Sequence, residues 1–231
     1  MIPIRDDQPR FSTPYITYFL IALNTAVYLF GLAVQAQGGR AYAAFMYEFG
    51  VVPRNVTDLV GAGSQVTILG TLLPFFTSMF VHGGFQHLLG NMWVLWIFGD
   101  NIEDYLGHFN YLIFYLVSGL AASASHVLLN AHSSMPTVGA SGAIAGVMGA
   151  YFVLYPRARV LTWFVFIFYM PAWIVLGYWF LVQFLSGAAT SIANQTSGGI
   201  AVWAHVGGFV AGIVLIKVFS ERPRLYRYGT W

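Results

Sequence analysis

The chain has 231 residues, of which 58% are hydrophobic and only 8% are charged, and its mean hydropathy is +0.69. A soluble domain carries roughly 25% charged residues, so this composition excludes a water-soluble globular protein and indicates a polytopic membrane protein. The net charge of +2 is too small to suggest a nucleic-acid partner. The absence of cysteine excludes disulfides, thiolate metal sites and a cysteine nucleophile.

Six apolar runs predict membrane-spanning helices, because a helix satisfies its own backbone hydrogen bonds in lipid and the alternating strands of a barrel are missing. The runs lie near residues 14–36, 84–99, 106–128, 140–155, 160–186 and 199–219. We therefore predict an all-α polytopic membrane protein with one membrane domain over residues 14–219. We expect no cleavable signal peptide, because the start of the chain is polar and the first apolar run is long enough to span.

Residues outside the six runs form two predicted tails and one long connection. Residues 1–13 and 220–231 are expected to be cytoplasmic tails. The connection at 37–83 has apolar patches and few charges, so we expect an external element lying in the outer membrane interface. An ordinary external loop is the alternative.

The basic residues predict the orientation of the bundle. With the N-terminus in the cytoplasm, eight basic residues fall inside and two fall outside, in agreement with the positive-inside rule. The inner set is Arg5, Arg10, Arg157, Arg159, Lys217, Arg222, Arg224 and Arg227, and the outer set is Arg40 and Arg54. Both termini are then cytoplasmic.

Three of the predicted spans run in the same direction and carry a polar residue near the outer end: His87, Ser141 and His205. These residues precede the charged groups at the inner ends of their spans by 13, 16 and 12 positions, or roughly 20, 24 and 18 Å of helix. In a hydrocarbon core about 30 Å thick, all three lie roughly 6–12 Å below the outer face. Polar groups in lipid are costly and are candidates for function.

Ser141 and His205 are the residue types of a nucleophile and its general base. Ser141 stands at a predicted helix N-terminus, where free backbone N–H groups and the positive end of the helix dipole suit a developing oxyanion. A packing or capping serine and a structural histidine are the alternatives, but neither accounts for the matched depth of the pair. Small residues that allow close packing surround both positions: Gly139 and Gly142 near the serine, and Gly208 and Gly212 after the histidine.

His87 and Asn91 are spaced i, i+4 and share one face of their span. They are candidate side-chain donors to an oxyanion, and an interhelical hydrogen-bonded pair is the alternative. His82 lies just before the span and is expected to hold the preceding loop rather than to react.

The eight acidic residues all fall in predicted loops or tails, so no carboxylate is expected to complete a triad. The predicted site is therefore a Ser–His dyad. The same count disfavours an aspartyl intramembrane protease, and the absence of HExxH disfavours a zinc protease. We predict no metal ligands.

Three motifs together resemble the rhomboid family of intramembrane serine proteases. They are His82-Gly83-Gly84-Phe85-Gln86-His87-Leu88-Leu89-Gly90-Asn91, Gly139-Ala140-Ser141-Gly142, and Ala204-His205-Val206-Gly207-Gly208 with Gly212. The combination in this order is specific, whereas each motif alone is not. One departure is Ala145, one turn after the serine, where some members carry a tyrosine that packs on the histidine.

The resemblance implies a six-transmembrane-helix bundle in which Ser141 is the nucleophile, His205 is the base, and His87 and Asn91 help to form the oxyanion hole. It implies single-span membrane protein substrates within the lipid bilayer, no cofactor, and a site that opens to the outer face, here of a bacterial inner (plasma) membrane. The alternatives are a non-catalytic rhomboid-like protein that binds membrane helices, and a small transporter. A binder needs neither Ser141 nor His205, and a transporter predicts polar residues at several depths.

Overall fold

The computed structural model describes residues 1–60, 67–192 and 201–219, and the predicted tail at 220–231 lies outside these residues. The described chain is mostly helical, with one small sheet. In chain order the elements are β1 (Ile2–Asp6), α1 (Tyr15–Gln35), α2 (Gly39–Phe49), α3 (Pro53–Val60), α4 (Ile68–Leu72), α5 (Pro74–Thr77), a 3-10 turn (Ser78–Phe80), α6 (Phe85–Leu106), α7 (His108–Leu129), α8 (Ser141–Leu154), β2 (Arg159–Trp163), β3 (Ile167–Pro171), α9 (Ala172–Ile192) and α10 (Val202–Phe219).

Four helices of the described chain are long and apolar enough to cross a membrane, namely α1, α7, α9 and α10. Helix α6 passes the same test together with residues 68–80, from which it is bent by 74°. Helix α8 is shorter, with 14 residues, or about 21 Å. The structure therefore supports a polytopic helical membrane protein, and the count of six spans stays a prediction.

Helix α8 lies at the centre of the bundle, in contact with α6, α7, α9 and α10. Every residue from Gly142 to Tyr151 is buried, because this helix presents small side chains to its neighbours. Added Cβ atoms on Gly146 and Gly149 would lie 2.4 Å from the Ser118 Cβ of α7 and 2.1 Å from the Phe209 carbonyl oxygen of α10. The backbones of α8 and α10 are thus in direct contact, which only glycine permits at these positions.

The described residues of the connection at 37–83, which are 37–60 and 67–83, contain α2 to α5 and the 3-10 turn. Its backbone supports the turn that precedes α8. Val51 and Thr137 exchange two backbone hydrogen bonds of 2.9 and 2.8 Å, and Gly139 N–H donates to the Ser78 carbonyl over 2.8 Å. This segment therefore fixes the chain immediately before Ser141.

The fifth predicted span is wrong in its first half. Residues 160–171 form most of a β-hairpin, in which β2 pairs antiparallel with β3, and α9 begins only at Ala172. Aromatic and β-branched residues are frequent in this segment and favour strands. Their high hydropathy does not distinguish a strand from a membrane-spanning helix, so the apolar run alone was misleading. Helix α9 begins directly after Pro171. Proline has no backbone N–H and cannot make the hydrogen bond that a residue in a helix interior donates, so it is placed before the helix.

The N-terminal tail is also more ordered than a free tail. Strand β1 pairs antiparallel with β2, so the sheet order is β1-β2-β3. The Trp93 indole N–H donates to the Pro3 carbonyl over 2.7 Å, which ties this strand to α6. At the far end of the same strand, the Tyr151 hydroxyl of α8 donates to the Asp6 carboxylate. The sheet therefore connects the N-terminus to two helices of the bundle.

Three acidic residues lie within α6 and not in a loop, so the prediction for them is wrong. The helix continues to Leu106 and includes Asp100, Glu103 and Asp104. Glu103 is fully buried and accepts hydrogen bonds from the Ile16 and Thr17 backbone N–H groups at the start of α1, at 2.9 and 2.8 Å. These N–H groups have no partner inside their own helix, which explains how a buried carboxylate is accommodated.

Candidate active site

Ser141 is the first residue of α8, and the turn before it places the hydroxyl beside a cavity. Gly139 has a φ of 127°, a conformation that glycine adopts readily and other residues rarely. A Cβ on Gly139 would lie 2.7 Å from the His87 ring, so glycine is also needed for His87 to approach. The first backbone N–H groups of α8 lie beside the Ser141 side chain, as they do at any helix N-terminus.

His205 lies in the first turn of α10 and contacts Ser141 directly. Its Nε2 atom is 2.8 Å from the Ser141 Oγ. The approach depends on neighbouring small residues, because a Cβ on Gly208 would lie 2.1 Å from the Gly142 carbonyl oxygen. Two residues that are 64 positions apart thus come within hydrogen-bond distance through helix packing.

Two residues of α9 contact the other parts of the His205 ring. The Gln183 side-chain oxygen is 2.9 Å from His205 Nδ1. The Trp179 ring lies over the imidazole, with 5.7 Å between the centroids and a tilt of 39°. Sequence analysis missed both residues. The available signal for Gln183 was an amide in an apolar, aromatic-rich span, which is costly without a partner.

His87 and Asn91 lie on the first two turns of α6 and line the same cavity as Ser141. The buried Asn91 amide nitrogen is 2.9 Å from His82 Nε2. The His82 ring meets the His87 ring edge-on, with 5.1 Å between the centroids. His82 therefore contacts both candidate donors and does more than hold the preceding loop. An amide nitrogen has two hydrogens, so Asn91 can bind His82 and still donate into the cavity.

The cavity has a volume of about 730 Å³, and ten of the described residues line it. They are Gly83, Gly84, Phe85, Gln86, His87, Asn91, Val138, Ser141, Ala201 and His205. Five of these residues are glycine or apolar, and the other five have polar side chains, of which His205 contacts Ser141 directly. A site of this kind fits an apolar chain segment whose one reacting carbonyl reaches the serine.

The carboxylates of the described chain lie away from this cavity. Glu103 is 16 residues after His87 on α6, which corresponds to about 24 Å along the helix. Its oxygens are engaged with the start of α1 and with His108 Nδ1 at 2.6 Å. The group that meets His205 Nδ1 is the neutral amide of Gln183.

Comparison with known proteins identifies the family. The family model described as Rhomboid domain matches residues 69–222. Rhomboid protein 1, mitochondrial, of Saccharomyces cerevisiae is 30% identical over 228 residues, which cover 94% of this chain and 58% of that protein. RHOMBOID-like protein 6, mitochondrial, of Arabidopsis thaliana is 31% identical over 232 residues, which cover 92% of this chain and 71% of that protein.

A third relative is Presenilin-associated rhomboid-like protein, mitochondrial, of Bos taurus. It is 32% identical over 158 residues, which cover 64% of this chain and 38% of that protein. The chain spans about half the length of several of the curated relatives that it matches. The matched region includes α6, α8 and α10, the three helices that contribute His87, Ser141 and His205. This chain belongs to the rhomboid family of integral membrane proteins.

Proposed function

We propose that this protein is an intramembrane serine endopeptidase with Ser141 as nucleophile and His205 as general base. The observation that carries the proposal is the 2.8 Å distance between Ser141 Oγ and His205 Nε2, at the edge of a cavity in a membrane-embedded bundle. A serine within hydrogen-bond reach of a base, which a third group orients, is the geometry of an activated nucleophile.

The reaction follows from these two side chains. The Ser141 Oγ adds to the carbonyl carbon of a substrate peptide bond while its proton passes to His205 Nε2. The C–N bond then breaks, and His205 returns the proton to the leaving amine nitrogen. A water molecule next adds to the acyl ester and gives a proton to His205. The ester bond breaks, the proton goes back to the Ser141 oxygen, and a carboxylic acid is released.

Negative charge develops on the substrate oxygen in both additions, and donors around the cavity suit it. His87, Asn91 and the backbone N–H groups at the start of α8 all lie beside Ser141. Donors held in place before the reaction stabilise the transition state more than the ground state. The neighbouring His82 holds the Asn91 amide, so that amide need not reorganise during the reaction.

The proposed substrates are single-span membrane proteins, whose apolar segments reach the cavity from the bilayer. Both termini of the enzyme are cytoplasmic in this proposal, and the site opens to the outer face, as the distribution of basic residues predicts. All three relatives named above, from yeast, Arabidopsis thaliana and Bos taurus, carry the word mitochondrial in their names. A bacterial inner membrane therefore stays a prediction from the sequence.

The test compares purified wild type, Ser141→Ala and His205→Ala in detergent. Each is offered a generic single-span substrate with a small residue in its span, and each is treated with a fluorophosphonate probe. We expect cleavage and labelling by wild type only. Equal labelling of Ser141→Ala would sink the nucleophile assignment. A wild type that binds the substrate without cutting it would favour the non-catalytic helix-binding alternative.

A further inference from the structure

Among the described residues, the Gln183 side chain makes one hydrogen bond, with the imidazole of His205. It lies in the second half of α9, among Phe180, Leu181, Val182, Phe184 and Leu185. An amide in an apolar environment is costly unless it is hydrogen-bonded. His205 Nδ1–H donates to Gln183 Oε1 over 2.9 Å, and this hydrogen bond satisfies the amide oxygen. The same bond joins α9 to α10 at the site described above.

This bond decides which nitrogen of His205 carries the proton. The amide oxygen can only accept a hydrogen bond, so Nδ1 must donate and must carry the hydrogen. In the neutral ring, Nε2 is then the nitrogen with the free lone pair, and it is the atom 2.8 Å from the Ser141 hydroxyl. A reversed amide would donate to Nδ1 instead and would leave a hydrogen on Nε2, where no proton could be accepted from the serine.

A second contact from the same helix fixes the plane of the ring. Trp179 is four residues before Gln183, so both side chains leave α9 on the same side. The Trp179 ring packs against the imidazole with a centroid separation of 5.7 Å, and Gln183 makes a hydrogen bond with Nδ1 of the same ring. Together they restrict both the rotation of the ring about its axis and its displacement from Ser141.

A neutral acceptor has a physical advantage at this depth. A carboxylate in the same position would strengthen the bond to a protonated imidazole, but an ionised group in the bilayer is costly. An amide oxygen can orient the His205 ring and select its Nδ1–H tautomer without placing a charge among apolar side chains. It supplies less stabilisation of the protonated ring than a carboxylate does.

We propose that Gln183 is a positioning residue that holds His205 as the Nδ1–H tautomer, with Nε2 directed at Ser141. The role in catalysis rests on the function proposed above. The tautomer can be measured without any cleavage, so a failure of the protease assignment and a failure of this inference are distinguishable.

The decisive variants keep the volume of the side chain and change its hydrogen bonding. Gln183→Met matches the shape without the amide, and Gln183→Glu keeps an oxygen at the accepting position. Ser186→Ala, at an exposed position one turn later on α9, is the matched control. Each variant is checked for thermal stability in the same detergent before its kinetics are measured.

Tautomers are read by nitrogen NMR on protein labelled with ¹⁵N-histidine. The His205 signals among the six histidines are assigned by their loss in His205→Ala. We expect an Nδ1–H ring in wild type, Ser186→Ala and Gln183→Glu, and a mixture of tautomers in Gln183→Met. An Nε2–H ring in wild type, or an unchanged ring in Gln183→Met, overturns the proposal.

Kinetics give the second readout. At metal-binding histidines, loss of the group that orients the ring typically costs about 10–100-fold in affinity or activity, and we expect Gln183→Met to lose a similar factor in kcat with little change in KM. Gln183→Glu should recover kcat to within about fivefold of wild type, because the acceptor is restored. If the Gln183 side chain only fills space, Gln183→Met should keep full activity, and that result would refute the inference. If the tautomers behave as expected but wild type cleaves nothing, the control of His205 by Gln183 stands and the protease assignment fails.

Discussion

Gly208 of α10 lies directly against the backbone of Gly142 on α8, and a Cβ on Gly208 would be 2.1 Å from the Gly142 carbonyl oxygen. One helical turn further, a Cβ on Gly212 would be 1.9 Å from the Gly146 carbonyl oxygen. The two helices are therefore parallel and in contact at both levels. This contact brings the helix that carries His205 to the helix that begins with Ser141.

Replacing either glycine of α10 should separate the two helices. We expect Gly212→Ala to lower the free energy of unfolding by about 1–3 kcal/mol, because a methyl group has no room against a backbone carbonyl. Activity should fall as well, since the separation moves His205 from Ser141. Unfolding in a denaturing detergent titration measures the first effect, and fluorophosphonate labelling of Ser141 measures the second.

The control for this substitution is Gly90→Ala on α6. A Cβ at Gly90 meets no atom within 4 Å, and alanine is favoured over glycine inside a helix by about 1 kcal/mol. Gly90→Ala should therefore be neutral or slightly stabilising. A stability loss as large in Gly90→Ala as in Gly212→Ala would contradict close packing as the cause.

Asn91 is expected to act on kcat and not on substrate binding. Loss of one oxyanion donor typically lowers kcat by about 10²–10³-fold, and we expect Asn91→Ala to fall in this range with KM little changed. His82→Ala should have a smaller effect, because it removes a neighbour of Asn91 and His87 but leaves both candidate donors in place. Steady-state cleavage of a single-span substrate by both variants checks the order. Equal losses in both would show that Asn91 acts only through the His82 contact.

The sequence located some spans well because a long apolar run has few alternative structures in lipid. Helices α1, α7 and α10 begin and end within three residues of their predicted limits. The segment 160–171 was mispredicted because hydropathy does not distinguish an aromatic strand from a helix. Helix α6 was predicted to end at 99, since the charged Asp100, Glu103 and Asp104 were assumed to lie outside it. Their partners come from the N-terminal tail and α1, which no local pattern reveals.

For the candidate site, the sequence predicts the depth of each residue in the membrane, but not which side chains contact each other. Counting residues put Ser141 and His205 at one level, and the structure brings their side chains within 2.8 Å. The contacts of Gln183 with His205 and of His82 with Asn91 depend on the rotation of each helix about its axis. That rotation is set by packing of the whole bundle, so the sequence gives no direct signal for it.

Glu103 should be essential for stability although it lies far from the site. Its oxygens accept from the Ile16 and Thr17 N–H groups and from the Thr17 hydroxyl, at 2.9, 2.8 and 2.7 Å. Glu103→Ala leaves these buried donors without a partner, and an unsatisfied buried donor costs about 1–3 kcal/mol. We expect a loss of at least this size in the free energy of unfolding, and a smaller one for Glu103→Gln. Glu48→Ala, at an exposed position of α2, is the control and should change stability little.

Asp6 should make the docking of the N-terminal strand depend on pH. The pKa of this carboxyl is raised from 3.8 to about 6, mainly by burial; the nearby charges of Asp100 and Asp7 contribute to the rise, and the hydrogen bond from Tyr151 opposes it. The docked strand therefore binds a proton more tightly than the undocked strand. Docking should strengthen as pH falls from about 7 through 6 toward 4, and should be weakest above this range.

Hydrogen exchange of the amides of β1 (Ile2–Asp6), expressed as protection factors, tests this expectation. Protection should be higher at pH 5 than at pH 8 in wild type. Asp6→Asn stays neutral throughout, so its protection should be nearly independent of pH and close to that of wild type at the lower pH. Asp6→Asn retains every other titratable group of the chain. A pH dependence that persists in Asp6→Asn would therefore assign the effect to another group.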